Sequence, residues 1–430
     1  MGDSRQPLLG VSLRPFTAPG VCTRFGPLTW WGGPLNVEGL ALSATHAFGS
    51  VLAGLMGTRH TISFDSARVA AWFGSFSHLR VDGEPLSAFA PLSGFFASSD
   101  GWVRTHANYP HHERALLRAL DVEDGPSAAA AMRLMTSAQI EEAAQETGAI
   151  AVAVRQPGQV RSASGDWIEI SEVGSARAFR PGDGAPLTGL RVLDLSRVIA
   201  GPSASRLLGA LGADVLRIDP PHLPELTSHH LDTGFAKRTA VVDLADEGDR
   251  VRSLVDRADV VFLGYRLSSL ERTGFGPEAI AERHPHVAVV SLDAWGEIPG
   301  WSGRRGFDSV VQAATGISHL YGTETDDGWR PGALPVQALD MATGLGMAAA
   351  ALALAGRGGR AHLSLARTAR FLIDGGAAPA APEDVLLTLR DMESAYGLLT
   401  YAPVPISIDG VAVDYPAPPL PYGDGEPVWM

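Results

Sequence analysis

From Leu187 onward, short apolar runs alternate with stretches of helical spacing, a pattern that predicts a parallel sheet with helices on its faces. Arg191-Val-Leu-Asp-Leu195 reads as a buried strand, Gly201-Pro202 as a break, and Ser203 to Leu211 as a helix. Gly212-Ala213-Asp214 then turns the chain into a second strand, Val215-Leu-Arg-Ile218, completing a βαβ unit of about thirty residues. Further strands are expected over Ala240 to Leu244, Asp259 to Leu263 and Val287 to Leu292, with a helix over Gly248 to Arg257 between the first two. The fold class expected is α/β: a Rossmann-like parallel sheet with flanking helices, accompanied by a smaller α/β domain.

That smaller domain is read from Leu92 to Arg155. It has a hairpin over Gly94 to Trp102, a helix over His112 to Leu120, a helix over Ala138 to Glu146 ending at Gly148, and a strand over Ile150 to Val154. Ser162 to Pro186, rich in Gly, Pro, Ser and Ala, reads as a linker that packs in part through Trp167-Ile-Glu-Ile170. The tail after Gly375 ends in the Pro-rich Tyr415 to Tyr422 and is expected to run extended over another domain's surface. The division is therefore an N-terminal segment 1–86, a small α/β domain 87–160, a linker 161–186, a Rossmann-like domain 187–372 and a tail 373–430. A faint internal repeat relates Ala41 to Phe64 with Ala338 to Leu365, and in that alignment Ser43 stands where the later copy has Asp340.

Composition narrows the function. The 430 residues carry 34 Lys+Arg against 47 Asp+Glu, a formal net charge of −13, which argues against nucleic-acid partners. Local arginines still leave room for small acidic ligands. Lys237 is the sole lysine. One cysteine, Cys22, allows neither an intrachain disulfide nor a multi-thiolate metal site and points to a reducing compartment, with the cytoplasm as the expected location. The opening MGDSRQPLLG lacks the signature of a signal peptide, and Leu345 to Ala355, the longest run of small apolar residues, is too short to span a bilayer; no membrane partner is expected. The pairs His111-His112 and His229-His230 have no third ligand at metal spacing, so no metal is expected.

The turn Ser196-Arg-Val-Ile-Ala-Gly-Pro202 sets backbone N–H groups at a helix start, a place suited to phosphate. It is not the G-x-G-x-x-G of dinucleotide oxidoreductases. Five motifs in order carry a more specific resemblance. They are Leu187 to Pro202 running on to Asp219; Lys237-Arg-Thr239 with Val242-Asp-Leu244; Ala258 to Val261 with Leu270 to Phe275; Gly306-Phe-Asp308 with Gln312 to Gly316; and Ala338-Leu-Asp-Met-Ala-Thr-Gly344 leading to Ala361 to Leu365. Together they resemble the CaiB/BaiF family, the family III CoA-transferases, over Leu187 to about Leu372.

The resemblance implies that CoA moves from an acyl-CoA thioester to a free carboxylic acid through a covalent aspartyl intermediate, with Asp340 as the nucleophile. A carboxylate attacking a thioester gives a mixed anhydride and releases the thiolate, which needs no tightly bound cofactor; the CoA thioester is substrate. An N-cap role is the plainer reading of the same aspartate. By motif position Val198, Ile199 and Ala200 resemble a backbone cradle for the CoA nucleotide, Tyr265 an aromatic near adenine, and Arg272 a phosphate partner. The loop Gly264-Tyr-Arg-Leu-Ser268 departs from the family's Asn-aromatic-x-Pro-Gly, and Pro220 stands where a basic residue is common, which implies either a lower nucleotide affinity or Arg266 as a substitute. Lys237 joins the binding candidates, its plainer reading being a solvated loop beside Arg238.

The family also implies an interlocked homodimer. Its members usually place the small domain after the Rossmann half, whereas here the segment resembling it comes first. Two other functions stay open: a 2-methylacyl-CoA racemase, which meets Phe307 where a proton-carrying histidine is expected, and a non-catalytic CoA-binding protein.

Overall fold

The computed structural model describes residues 22–86, 89–173, 179–181, 184–378 and 381–430. The opening ten residues and part of the linker lie outside the described residues. A seven-stranded sheet forms the centre. Across it run Arg238–Val241, Asp214–Asp219, Arg191–Leu195, Val260–Leu263, Ala288–Asp293 and Gly359–Ser364, all parallel, and then Glu169–Val173 as an antiparallel edge. Chain order reverses between Arg191–Leu195 and Val260–Leu263, which is the switch point of a doubly wound sheet.

The predicted strands lie where the apolar runs are longest. Val260, Val261, Phe262 and Leu263 are wholly buried because helices cover both faces, and each contributes about 1.5–3 kcal/mol relative to exposure. Two expectations shift. Arg238–Val241 begins and ends earlier than the expected Ala240 to Leu244, since its pairing with Leu216 to Asp219 sets the register. The helix expected from Ser203 begins at Ala200, with Pro202 in its first turn, where its missing N–H would have had no partner. The expected linker also supplies a strand of the main sheet, and Trp167 is buried with its indole donating to Thr368 Oγ1 at 3.0 Å.

The small unit has its own core around Leu92, Val103, Leu116, Met132 and Ile140. Three antiparallel strands, Phe95–Ala97, Trp102–Thr105 and Ala151–Ala153, support the helices Pro110–Ala119, Gly125–Leu134 and Ser137–Thr147. The last helix starts on a reciprocal Thr136–Gln139 capping box and stops at Gly148, whose φ of +74° suits glycine. Arg305 donates to the Gly148 carbonyl at 2.7 Å and Arg155 N–H to the Ala313 carbonyl at 3.0 Å, tying this unit to the sheet domain.

The N-terminal copy of the repeat folds as helix Val37–Met56, strand Ile62–Asp65 and helix Ser66–Phe73; the later copy folds as Ala338–Leu354, Gly359–Ser364 and Leu365–Asp374. The two long helices pack on each other and share one core. Among the described residues, Val37–Met56 is a helix of 20 residues with a mean hydropathy of 1.4, long and apolar enough by those measures to cross a membrane, and 72% of its most apolar window is buried in the fold. Ser43 is the seventh residue of its helix and Asp340 the third of its own, the earlier helix beginning further ahead of the compared position. The tail, read as extended, also forms the hairpin Arg390–Ser394 and Gly397–Tyr401 and the strand Ile406–Ile408 against Ile62–Asp65.

Candidate active site

A cavity of about 540 Å³ opens outside the carboxyl ends of the strands at the switch point. Its walls come from the turn after Arg191–Leu195, the loop after Val260–Leu263, the segment Arg304 to Phe307, and the start of helix Pro110–Ala119. Gly264 permits this closeness, since a Cβ there would lie 2.6 Å from Ser196 Cβ. Arg197, Arg266, Arg272, Arg304 and Arg305 all face the cavity, so an acidic protein concentrates positive charge around this one space.

Asp340 lines this cavity and is 7% exposed. The helix N-cap is Gln337, three residues earlier, so the capping role read for Asp340 is not the one its carboxylate plays. Its backbone N–H donates to Asp308 Oδ2 at 3.0 Å. Asp308 is in turn held by Gln312 Nε2, and Gln312 Oε1 accepts from Leu334 N–H at 2.9 Å. Two buried carboxyls therefore sit side by side. Burial, and then the charge of Asp308, push Asp340 well above the ordinary carboxylate range; burial raises Asp308 too, against the hydrogen bond from Gln312.

Of the residues singled out in the sequence, Asp340, Val198, Ala200, Tyr265, Arg266 and Arg272 line the cavity. Ile199 is 4% exposed and turns into the core, and Lys237 lies outside the cavity wall. Neither ligand nor solvent takes the Lys237 ammonium: it is buried, 3.3 Å from Asp194 Oδ2 and donating to the Pro202 carbonyl at 2.6 Å. Burial lowers it to about 7 against the pull of Asp194. The backbone cradle is also partly filled. Val198 holds a φ of +70°, unusual for a β-branched residue, and its N–H donates at 2.8 Å to the carboxylate of Glu225.

Glu225 is the residue that sequence reasoning missed most completely. Buried beneath the cavity, it accepts from Tyr109 Oη at 2.6 Å and Arg217 Nη2 at 2.9 Å as well as from Val198. Burial would raise its carboxyl, but the His229 ring 3.5 Å away and the Arg217 guanidinium hold it well below the usual range. Tyr265 Oη donates to Asp219 Oδ1 at 3.0 Å, and Asp219 shares Arg217. Arg197 stacks over the Tyr109 ring at 4.4 Å, joining the small unit to the phosphate-sized end of the cavity. The Arg at 197 stands one residue before the cradle, and that adjacency was the signal available in the sequence.

With this geometry described, likeness to known proteins can be placed on it. Residues 187–378 match the family described as CoA-transferase family III. The chain is 34% identical over 174 residues to the succinyl-CoA:glutarate CoA-transferase of Homo sapiens, a match covering 37% of this chain and 39% of the relative. It is 32% identical over 145 residues to the acetyl-CoA:oxalate CoA-transferase of Acetobacter aceti, covering 31% and 37%. The chain thus spans about two-fifths of the curated relatives it matches. Among solved structures, Rv3272 of Mycobacterium tuberculosis aligns at 32% identity and a TM-score of 0.40, covering 43% of this chain and 55% of that one.

Proposed function

We propose that this chain is a CoA-transferase that moves CoA from an acyl-CoA thioester to a free carboxylic acid, with Asp340 as covalent nucleophile. The observation that carries the reading is a buried aspartate facing a cavity at the sheet's switch point, with five arginines around the same space. The ionised Asp340 oxygen attacks the thioester carbonyl carbon, and collapse expels the CoA thiolate and leaves a mixed anhydride. The thiolate then attacks the aspartyl carbonyl of that anhydride, forming an enzyme thioester and expelling the donor acid as its carboxylate. The acceptor carboxylate attacks the enzyme thioester, giving a second anhydride and CoA thiolate, and the thiolate attacks the acceptor's carbonyl carbon, so that the acceptor leaves as its CoA thioester and the Asp340 carboxylate is restored. Incubation with an acyl-CoA followed by hydroxylamine should yield a hydroxamate on the peptide bearing Asp340, read by mass spectrometry; an unmodified peptide after incubation with acetyl-, succinyl- and longer-chain thioesters would reject the reading in favour of simple binding. Phe307 in the cavity wall has no titratable group, so the position at which a racemase of this kind is expected to carry its second acid/base does not supply one.

The reading has two further consequences. Asp340 must be ionised to attack, and Asp308 raises its pKa, so turnover falls as pH falls through the Asp340 value. Asp308→Asn removes that negative neighbour and is expected to shift the acid limb of the pH–rate profile to lower pH; a shift upward, or none, speaks against the pairing. Ser43→Ala is expected to leave turnover within about twofold, because no cavity-facing group is changed.

For assembly we infer a homodimer, supported by the apolar surface that Phe25 on an edge strand and Leu386 offer to a second copy. A concentration-independent monomer mass in light scattering would reject it. Location in the cytoplasm rests on the single cysteine, Cys22, which is buried and pushed up to about 12 by that burial.

A further inference from the structure

The small unit brings two histidines to the reacting end of the cavity, and the mechanism above uses neither. His111 and His112 lie in the first turn of helix Pro110–Ala119, and both line the cavity with Asp340 and Phe307. His112 is 5% exposed and lies edge-on to Phe307, with ring centroids 5.8 Å apart. Phe307 immediately precedes Asp308, which holds the backbone of Asp340, so the small unit's His112 and the sheet domain's Asp340 both adjoin the Phe307–Asp308 segment of the cavity wall.

Of the neighbouring polar side chains, three are already engaged. Tyr109 Oη donates to Glu225, Arg305 donates to the Gly148 carbonyl, and Arg304 lies 3.6 Å from Glu141. Among the described residues, the His112 ring makes no hydrogen bond; its Nδ1 is shut off from solvent without a partner, which leaves Nε2 as the ring atom open to the cavity. A buried orphan acceptor is less costly than a buried orphan N–H, so the favoured tautomer carries its proton on Nε2. The ring is also held neutral. Burial, with His111, Arg305 and Arg197 adding to it, lowers His112 to about 3, and its place in the first turn of a helix acts in the same direction.

Resting on the CoA-transferase reading, we propose that His112 is a further catalytic residue, whose Nε2–H donates a hydrogen bond to the thioester carbonyl oxygen of the acyl-CoA. As the Asp340 oxygen bonds to the carbonyl carbon, the C=O π pair moves onto oxygen, and the hydrogen bond strengthens with the growing negative charge. On collapse the pair returns and the C–S bond breaks with its electrons on the thiolate. The imidazole keeps its proton throughout. A neutral donor suits the task, because an imidazolium would give its proton up to the thiolate or to Asp340.

The test uses the full chain. His112→Ala is expected to lower kcat by roughly 10²-fold with KM for acyl-CoA changed by less than about threefold, and His112→Gln, which keeps an N–H donor, to recover roughly tenfold of that loss. A spectroscopic arm separates catalysis from packing. With 13C-labelled acetyl-CoA bound to Asp340→Ala, the thioester carbonyl stretch is expected at lower frequency than in water, and Asp340→Ala/His112→Ala is expected to return it toward the free value. If wild-type protein forms no hydroxamate at Asp340, the CoA-transferase reading fails. If it does, but His112→Ala keeps kcat within threefold or leaves the carbonyl stretch unmoved, only the His112 assignment fails. Loss of the folded circular-dichroism signal in His112→Ala moves the decision to His112→Gln, where an unchanged carbonyl stretch supports the proposal and a shift to the free value overturns it.

Discussion

Asp340→Asn and Asp340→Ala are expected to bind acyl-CoA with affinity within about threefold of wild type and to release no free CoA from it, a loss of roughly 10³-fold or more in transfer. The separation between binding and chemistry follows from the geometry. The arginines that face the phosphate-sized end of the cavity belong to the turn after Arg191–Leu195, the Tyr265 to Arg272 loop and the Arg304-Arg305 pair, none of which is built on the Asp340 carboxylate. Asp340 does not cap its helix, and its backbone N–H, not its side chain, bonds Asp308. Removing one charge from a close carboxyl pair relieves repulsion, so both variants should be at least as stable as wild type. Calorimetry with CoA and a thiol-release assay read the two halves. Turnover above a few per cent of wild type in Asp340→Ala would show that another group carries the acyl chain.

The second large effect is on stability. Glu225→Ala is expected to cost about 3–5 kcal/mol, because it leaves Arg217 with Asp219 as its remaining ionic partner and strips acceptors from Tyr109 Oη and Val198 N–H, all of them buried or nearly so. Glu225→Gln keeps an acceptor oxygen and should cost less. Because Tyr109 belongs to the small unit and Val198 to the sheet domain, the loss falls on the contact between the two. Urea unfolding followed by far-ultraviolet circular dichroism measures it, and a midpoint unchanged in Glu225→Ala would mean that the network is worth no more than the water replacing it.

These contrasts show what a linear reading of this chain reveals. Strands buried on both faces advertise themselves, and Arg191–Leu195 lies where its apolar run predicts. Helix Gly125–Leu134 escaped notice because Gly, Pro and Ser at its start read as loop, although Asp124 caps it. The hairpin Arg390–Tyr401 escaped because six of its ten strand positions carry no apolar side chain that alternation could register, and it is held instead by pairing to Arg80 and Val81 far away in sequence. Asp340 was legible through its motif. Asp308 was visible only as part of Gly306-Phe-Asp308, since its work is to hold another residue's backbone. His112 and Glu225 take their meaning from partners in other segments, and no local pattern marks them. Lys237 shows the converse: a lone cation suggests a ligand or solvent, yet the fold closes over it and Asp194 together.

The last residues described bear on how copies of this molecule can meet. Arg238–Val241 is the outer strand of the large sheet, and Ala240 bridges Asp424 while Gly425 N–H donates to the Thr239 carbonyl at 2.8 Å. Beyond it, the Trp429 indole donates to the Leu254 carbonyl at 3.0 Å and Arg238 Nη1 to the Val428 carbonyl at 2.6 Å. The chain has thus sealed this margin of the sheet with its own backbone, and no second molecule can extend the sheet there without first peeling residues 423–430 away. An association that extends a sheet has to be made at some other edge of the molecule. Met430 N–H bonds Asp214 Oδ2 at 3.0 Å, so the seal is fastened to the neighbouring strand as well as to the one it covers.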